Sequence, residues 1–242
     1  MSGAAETPAP QPDRRSDRLL VNGVALIADH FGALLWPERR LAVVADLHFE
    51  KGSAFAERGQ LLPPYDTAAT LDKLEAVLAR HAVERLICLG DSFHDQGAAA
   101  RLPAPIVRRL RDLTACYHWI WIAGNHDPAP PEDLGGTVQA TWTEGALTFR
   151  HEAEPGATAG AVFGEVSGHF HPKAAVRVRG KRISAPCFIT DGRRLILPAF
   201  GAYTGGLNVL DPAIAGLLAP RFQVMLLGRR QVFAFPHSAV VG

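Results

Sequence analysis

Apolar residues fall into short continuous runs separated by one long helical period. Leu41 to Ala45, Arg85 to Leu89 and Tyr117 to Ala123 are short, apolar and β-prone, as expected of strands covered on both faces. Between the first two, Leu71, Leu74, Val77 and Leu78 recur at helical spacing across Asp66 to His81, and Asp66 or Thr67 can cap that helix. Pro103 to Leu113 predicts a second helix, whose prolines a first turn tolerates. The polar stretch before the first helix, with Gly59 and Pro63-Pro64, is expected to be a loop. This half therefore reads β-α-β-α-β. Right-handed crossovers make its strands parallel and gather their carboxyl ends at one edge of the sheet.

Upstream, Leu19 to Val21 and Val24 to Ala28 flank Asn22-Gly23, a strong hairpin signal, and Ala33 to Trp36 adds a strand. Beyond Pro128, strands are expected at Thr137 to Trp142, Ala146 to Phe149, Ala174 to Val178, Cys187 to Thr190, Leu195 to Leu197 and Gln223 to Leu227. Asp191-Gly192 and Gly180-Lys181 supply turns, and only a marginal helix, Ala213 to Leu218, interrupts them. With no internal repeat or linker, the expectation is a disordered tail over residues 1–17 and one domain over 18–242. That domain should be a mixed α/β fold in which a second sheet packs on the first.

Composition narrows the classes. A chain of 242 residues, 48% apolar and 20% charged, suits a globular protein, and no apolar run approaches the ~20 residues of a membrane span. The N-terminus has no apolar core of a secretory signal. Three scattered cysteines (Cys88, Cys116, Cys187) fit a reducing cytoplasm and argue against a Cys-ligated zinc. The net charge of +1 gives no bulk nucleic-acid signature. Arginine nevertheless clusters at Arg108-Arg109-Arg111, Arg177-Arg179-Lys181-Arg182 and Arg193-Arg194. Such clusters are ordinarily solvated faces, but a guanidinium fork suits phosphate.

The chemistry lies at the strand ends. Asp46-Leu47-His48, Gly90-Asp91 and Gly124-Asn125-His126-Asp127 each follow a buried run, where open α/β sheets assemble their sites. His151, His169 and His171 extend the set. Mixed Asp, Asn and His ligation suits manganese, iron or zinc. With Asp91 bridging, the seven side chains Asp46, His48, Asp91, Asn125, His151, His169 and His171 give four ligands to each of two ions. Such a pair, ~3.5–4 Å apart, can activate a water and clamp the oxygens of an in-line displacement at phosphorus. His126, surplus to the ligand count, suits the leaving oxygen, and Asp127 beside it could orient its imidazole. His94 and Lys51 are additional candidates on the same loops. His30, His81, His118 and His237 have no motif around them.

In this order the motifs resemble those of the calcineurin-like metallophosphoesterase superfamily from about Leu41 to His171. The resemblance implies two facing mixed sheets flanked by helices, an αββα sandwich. It also implies one metal on Asp46, His48, Asp91 and His171, a second on Asp91, Asn125, His151 and His169, and His126 at the leaving group. The second motif runs Gly90-Asp91-Ser92-Phe93-His94-Asp95, without the Gly-Asp-x-x-Asp-Arg arginine that grips phosphate in phosphoprotein phosphatases. Ala45-Asp46-Leu47-His48-Phe49-Glu50-Lys51-Gly52, Phe55, Arg58-Gly59, Pro63-Pro64 and Leu89 to His94 are similar to bacterial ligase-associated DNA damage response endonucleases. That similarity implies a metal-dependent DNA phosphodiesterase acting with a DNA ligase and a helicase in repair. Of the metals the ligands suit, manganese is the one expected, with iron or zinc as alternatives. The competing reading is a phosphatase or pyrophosphatase on a small phosphorylated metabolite. A third is a scaffold that has lost catalysis, as in retromer subunits; it would be marked by missing ligands, and none is missing.

Overall fold

The computed structural model describes residues 17–127, 131–156 and 162–242; the expected tail, residues 1–17, lies outside these except for Asp17. Asn22 and Gly23 both take positive φ (48° and 80°), as a tight hairpin requires. They join β1 (Arg18–Val21) to β2 (Val24–Ala28) with Val21 opposite Val24. β3 (Leu34–Trp36) and β4 (Leu41–Val44) continue antiparallel. β5 (Arg85–Leu89), β6 (His118–Ile122) and β7 (Thr137–Gln139) then add in parallel, giving a sheet in simple sequence order. The crossovers carry α1 (Lys51–Glu57), α2 (Asp66–Arg80), α3 (Ala98–Arg101) and α4 (Ala104–Cys116). Leu71, Leu74, Val77 and Leu110 from these helices bury against Cys88, Trp119 and Trp121 of the sheet.

The second sheet holds β8 (Thr141–Glu144), β9 (Leu147–Arg150), β10 (Gly164–Ser167), β11 (Pro172–Val178), β12 (Lys181–Thr190), β13 (Arg194–Ile196), β14 (Leu207–Asn208), β15 (Gln223–Leu227), β16 (Val232–Pro236) and β17 (Val240–Val241). It faces the first across one core, where Leu34, Val43, Ile87 and Ile120 meet Phe149, Val166, Phe188 and Leu195. Each such side chain contributes roughly 1.5–3 kcal/mol by leaving water. On its far face lies a single turn, α5 (Pro212–Ala215), whose Ile214 packs on Val176 and Ile189. The expected sandwich is present, with one helical layer much thinner than the other.

Several local expectations change. The single strand expected over Thr137 to Trp142 is two: β7 pairs with β6, and after Ala140 the chain switches sheets so that β8 pairs with β9. The polar stretch after Phe49 is not all loop. Lys51–Glu57 forms a helix that buries Gly52 and Ala54. Asp66 and Thr67 do not cap their own helix. Asp66 accepts the Gly52 amide (2.9 Å) and Thr67 Oγ1 the Glu50 amide (2.8 Å), so capping-type residues of α2 fix the start of α1.

Candidate metal centre

Pairing between β4 and β5 continues past their ends. The amides of His48 and Phe49 donate to the carbonyls of Asp91 (2.9 Å) and Ser92 (2.8 Å). This carries the two motif loops side by side over the sheet edge. Asp46, His48, Asp91, His169 and His171 all lie in the left-handed region, with φ between 45° and 69°. That conformation costs a side-chain-bearing residue on the order of 1 kcal/mol or more, so backbone strain is concentrated on five of the seven expected ligands.

Small residues let the loops close. A Cβ on Gly124 would lie 2.2 Å from the Asp91 nitrogen and 2.4 Å from its Oδ1, and one on Gly90 would strike the His151 ring. A segment that the strand pattern did not single out also braces the site. The amides of Phe200 and Gly201 donate to the carbonyls of Ala45 (2.8 Å) and Asp46 (3.1 Å), and a Cβ on Gly201 would sit 2.0 Å from the Leu47 oxygen. The Pro198 to Gly201 stretch after an apolar strand was its only sequence signal.

The expected ligands come together in two groups. In the first, His48 Nε2 lies 3.3 Å from His171 Nε2, which is 3.5 Å from Asp46 Oδ1. In the second, His151 Nε2 lies 3.4 Å from Asp91 Oδ1, 3.1 Å from His169 Nδ1 and 2.8 Å from Asn125 Oδ1. The groups adjoin: His151 Nδ1 is 3.9 Å from Asp46 Oδ1, and the His169 amide donates to Asp46 (2.9 Å).

These groups fit divalent ions. His151 Nδ1 donates to the Leu89 carbonyl (2.8 Å), so the neutral ring presents only a lone pair at Nε2. His151 Nε2, the Asn125 oxygen and the Asp91 carboxylate converge, a donor set that suits a divalent cation. Ligands ~2.1 Å from an ion lie ~3.0–3.4 Å from one another, close to the separations found. Asp46 and Asp91 are 0% and 2% exposed, and buried carboxylates need a paired charge. Burial, followed by the His171 and Lys51 charges, pushes the His48 imidazole down to about 2. Burial and His151 lower His169. Both rings are thus held neutral, the form that binds metal.

His126 lies at the open side of the site, 44% exposed. Its amide donates to Asp91 Oδ1 (2.9 Å), and its Nε2 is 3.9 Å from Asp91 Oδ2. The expected Asp127–His126 contact is absent. Asp127 turns inward to accept the Ser92 (2.9 Å) and Phe93 (3.1 Å) amides. Burial raises its pKa to about 7. Orientation of His126 falls instead to the His94 carbonyl, which accepts from Nδ1 (2.9 Å). The His94 ring stacks on His126 at 5.7 Å. Burial lowers the pKa of the Lys51 ammonium, and burial followed by the Lys51 charge lowers that of His94. Both additional candidates therefore border the site.

Residues 39–182, more than half of the chain, match the family model of the calcineurin-like phosphoesterases. The chain belongs to that family. It is a hydrolase of phosphoester bonds with two groups of side chains that could each hold a metal. Among solved structures, this phosphoesterase is similar to a Pseudomonas putida nuclease, MPE. The two are 28% identical, with a TM-score of 0.68, over 90% of this chain and 98% of that one. A weaker likeness links it to the phosphoesterase YfcE of E. coli, 16% identical with a TM-score of 0.42, over 79% of this chain and 95% of that one. Comparison with curated proteins returns no match. No helix among the described residues is long and apolar enough to cross a membrane.

Proposed function

We propose that this phosphoesterase is a two-metal phosphodiesterase that cleaves DNA. The observation that carries the two-metal reading is the pair of abutting ligand groups, Asp46/His48/His171 and Asp91/His151/His169. Likeness to a nuclease over 90% of the chain supports a nucleic-acid substrate. When bound, two divalent ions would supply charge stabilisation at phosphorus and an activated water. The first ion would be held by Asp46, His48, Asp91 and His171, and the second by Asp91, Asn125, His151 and His169, with manganese the ion proposed.

The chain's own part is positioning and proton transfer. The Leu89 and His94 carbonyls fix one tautomer of His151 and of His126. His126 then turns Nε2 to the open side. In the imidazolium form, with one proton on Nδ1 and a second on Nε2, the Nε2 proton can hydrogen-bond the departing oxygen or pass to it, the transfer leaving the neutral Nδ1–H ring. Exposure of Asn125 and His126 leaves room for a polymer. A cytoplasmic role in DNA repair, alongside a ligase and a helicase, is the setting we propose.

The test is hydrolysis of single- and double-stranded DNA, small diesters and monoesters by manganese-loaded protein. Cleavage of polynucleotide is the expected result. Turnover of monoesters with every polynucleotide intact would replace this reading with a small-molecule phosphatase.

A further inference from the structure

The three arginine clusters differ in how their charge is met. Arg109 pairs with Asp72 (2.6 Å) and Glu75 (2.5 Å), and Arg111 with Asp133 (2.5 Å). Arg194 is 1% exposed and bonded to Glu165 (2.6 Å). The third cluster is unmatched. Arg177, Arg179, Lys181 and Arg182 are all exposed. Among the described residues, none of these four side chains has an ion pair or hydrogen bond. The chain carries no Asp or Glu between Glu165 and Asp191.

Their placement concentrates that charge. They lie at the tip of the β11–β12 hairpin, where Arg179 (φ 49°) and Gly180 (φ 76°) make the turn. Arg177 stands directly opposite Arg182 in the antiparallel ladder, and like charges so placed destabilise a sheet. Lys173 shares the face of Arg177 by strand alternation, and β11 begins at Pro172, immediately after His171. A basic face therefore leads outward from the ligand groups.

We propose that the β11–β12 hairpin is a second contact for the nucleic-acid backbone, gripping phosphates away from the metal centre. This rests on the nucleic-acid reading above. Arg177 lies six steps along the chain from His171, about 20 Å at ~3.3 Å per residue. That span corresponds to about 6 base pairs at ~3.4 Å each. The hairpin therefore engages long substrates and leaves the shortest ones untouched.

The experiment compares wild type with Arg177→Gln, Arg179→Gln, Lys181→Gln and Arg182→Gln combined. Each protein is bound to a 30-base-pair duplex and to a four-nucleotide strand at several salt concentrations. Loss of cross-strand repulsion should leave Tm no lower. For the duplex, the slope of log K against log salt should shrink by about 1 for each lost phosphate contact, with affinity at least tenfold weaker near 0.1 M salt. Affinity for the four-nucleotide strand should be unchanged. Arg177→Lys, Arg179→Lys and Arg182→Lys combined should keep the wild-type slope. An unchanged duplex slope in the glutamine variant, or equal loss on both lengths, would overturn the hairpin contact alone. Wild-type protein that neither binds nor cleaves any polynucleotide would overturn the nucleic-acid reading and the hairpin with it.

Discussion

His126 is held by the backbone of His94: its Nδ1 donates to the His94 carbonyl at 2.9 Å. A carbonyl can only accept, so Nδ1 carries a proton, and Nε2, which bears the second proton of the imidazolium, faces the site. Replacing His126 with Ala should lower kcat by about 10²–10⁴-fold, the usual worth of a positioned acid. Metal content should be unchanged, because it is the His126 amide that bonds Asp91. Steady-state kinetics with metal analysis checks both. A loss below tenfold would remove His126 from the reaction.

Gly124 is required by the nearness of Asp91. Gly124→Ala forces a Cβ to within 2.4 Å of the Asp91 carboxylate, and such overpacking costs about 1–3 kcal/mol. Urea unfolding should show that loss, and metal titration should show weaker binding. Gly205→Ala, where an added Cβ meets nothing within 4 Å, is the control and should be close to neutral.

Metal should also stabilise the fold. Asp46 and Asp91 are buried beside imidazoles, and an ion that binds only the folded chain adds about 2.7 kcal/mol at a hundred times its Kd. Chelation should lower Tm, and added Mn²⁺ should restore it. In Asp91→Asn most of the metal-dependent part of Tm should be missing. An equal Mn²⁺ shift in that variant would argue against Asp91 as a ligand.

Lys73 gives a pH signature away from the metal centre. Its ammonium donates to the Phe200 carbonyl (2.8 Å) and lies 4.0 Å from that ring; burial lowers its pKa to about 8 from 10.5. The folded state therefore binds fewer protons than the unfolded state between those values, so stability rises with pH across that window. Below pH 8 the full cost of burying the charge is present. Urea unfolding from pH 7.5 to 10.5 should show this rise in wild type and a flatter curve in Lys73→Met. Identical curves would contradict the assignment.

The β-α-β-α-β half was legible because buried parallel strands are apolar throughout and α2 keeps a strict helical period. The gathering of Asp46, His48, Asp91 and Asn125 at one sheet edge was legible because these polar residues stand directly after those strands. Orientation was not. Adjacency suggested that Asp127 serves His126, whereas its carboxylate turns back to the Ser92 and Phe93 amides. α1 was hidden because its sequence is polar and its start is fixed by Asp66 and Thr67 from another helix. The bracing role of Phe200 and Gly201 was hidden too, since the backbone it supports lies far away in sequence. β10 was missed because Gly164, Glu165 and Ser167 give it little apolar pattern, although all four of its residues are buried.

The most direct measurement is a titration of metal-free protein with Mn²⁺, following DNA cleavage and bound metal together. Two ions sharing Asp91 predict that cleavage appears as the second equivalent binds, and that Asp91→Asn stays inactive throughout. Full cleavage at one equivalent, or undiminished turnover in Asp91→Asn, would contradict the two-metal centre.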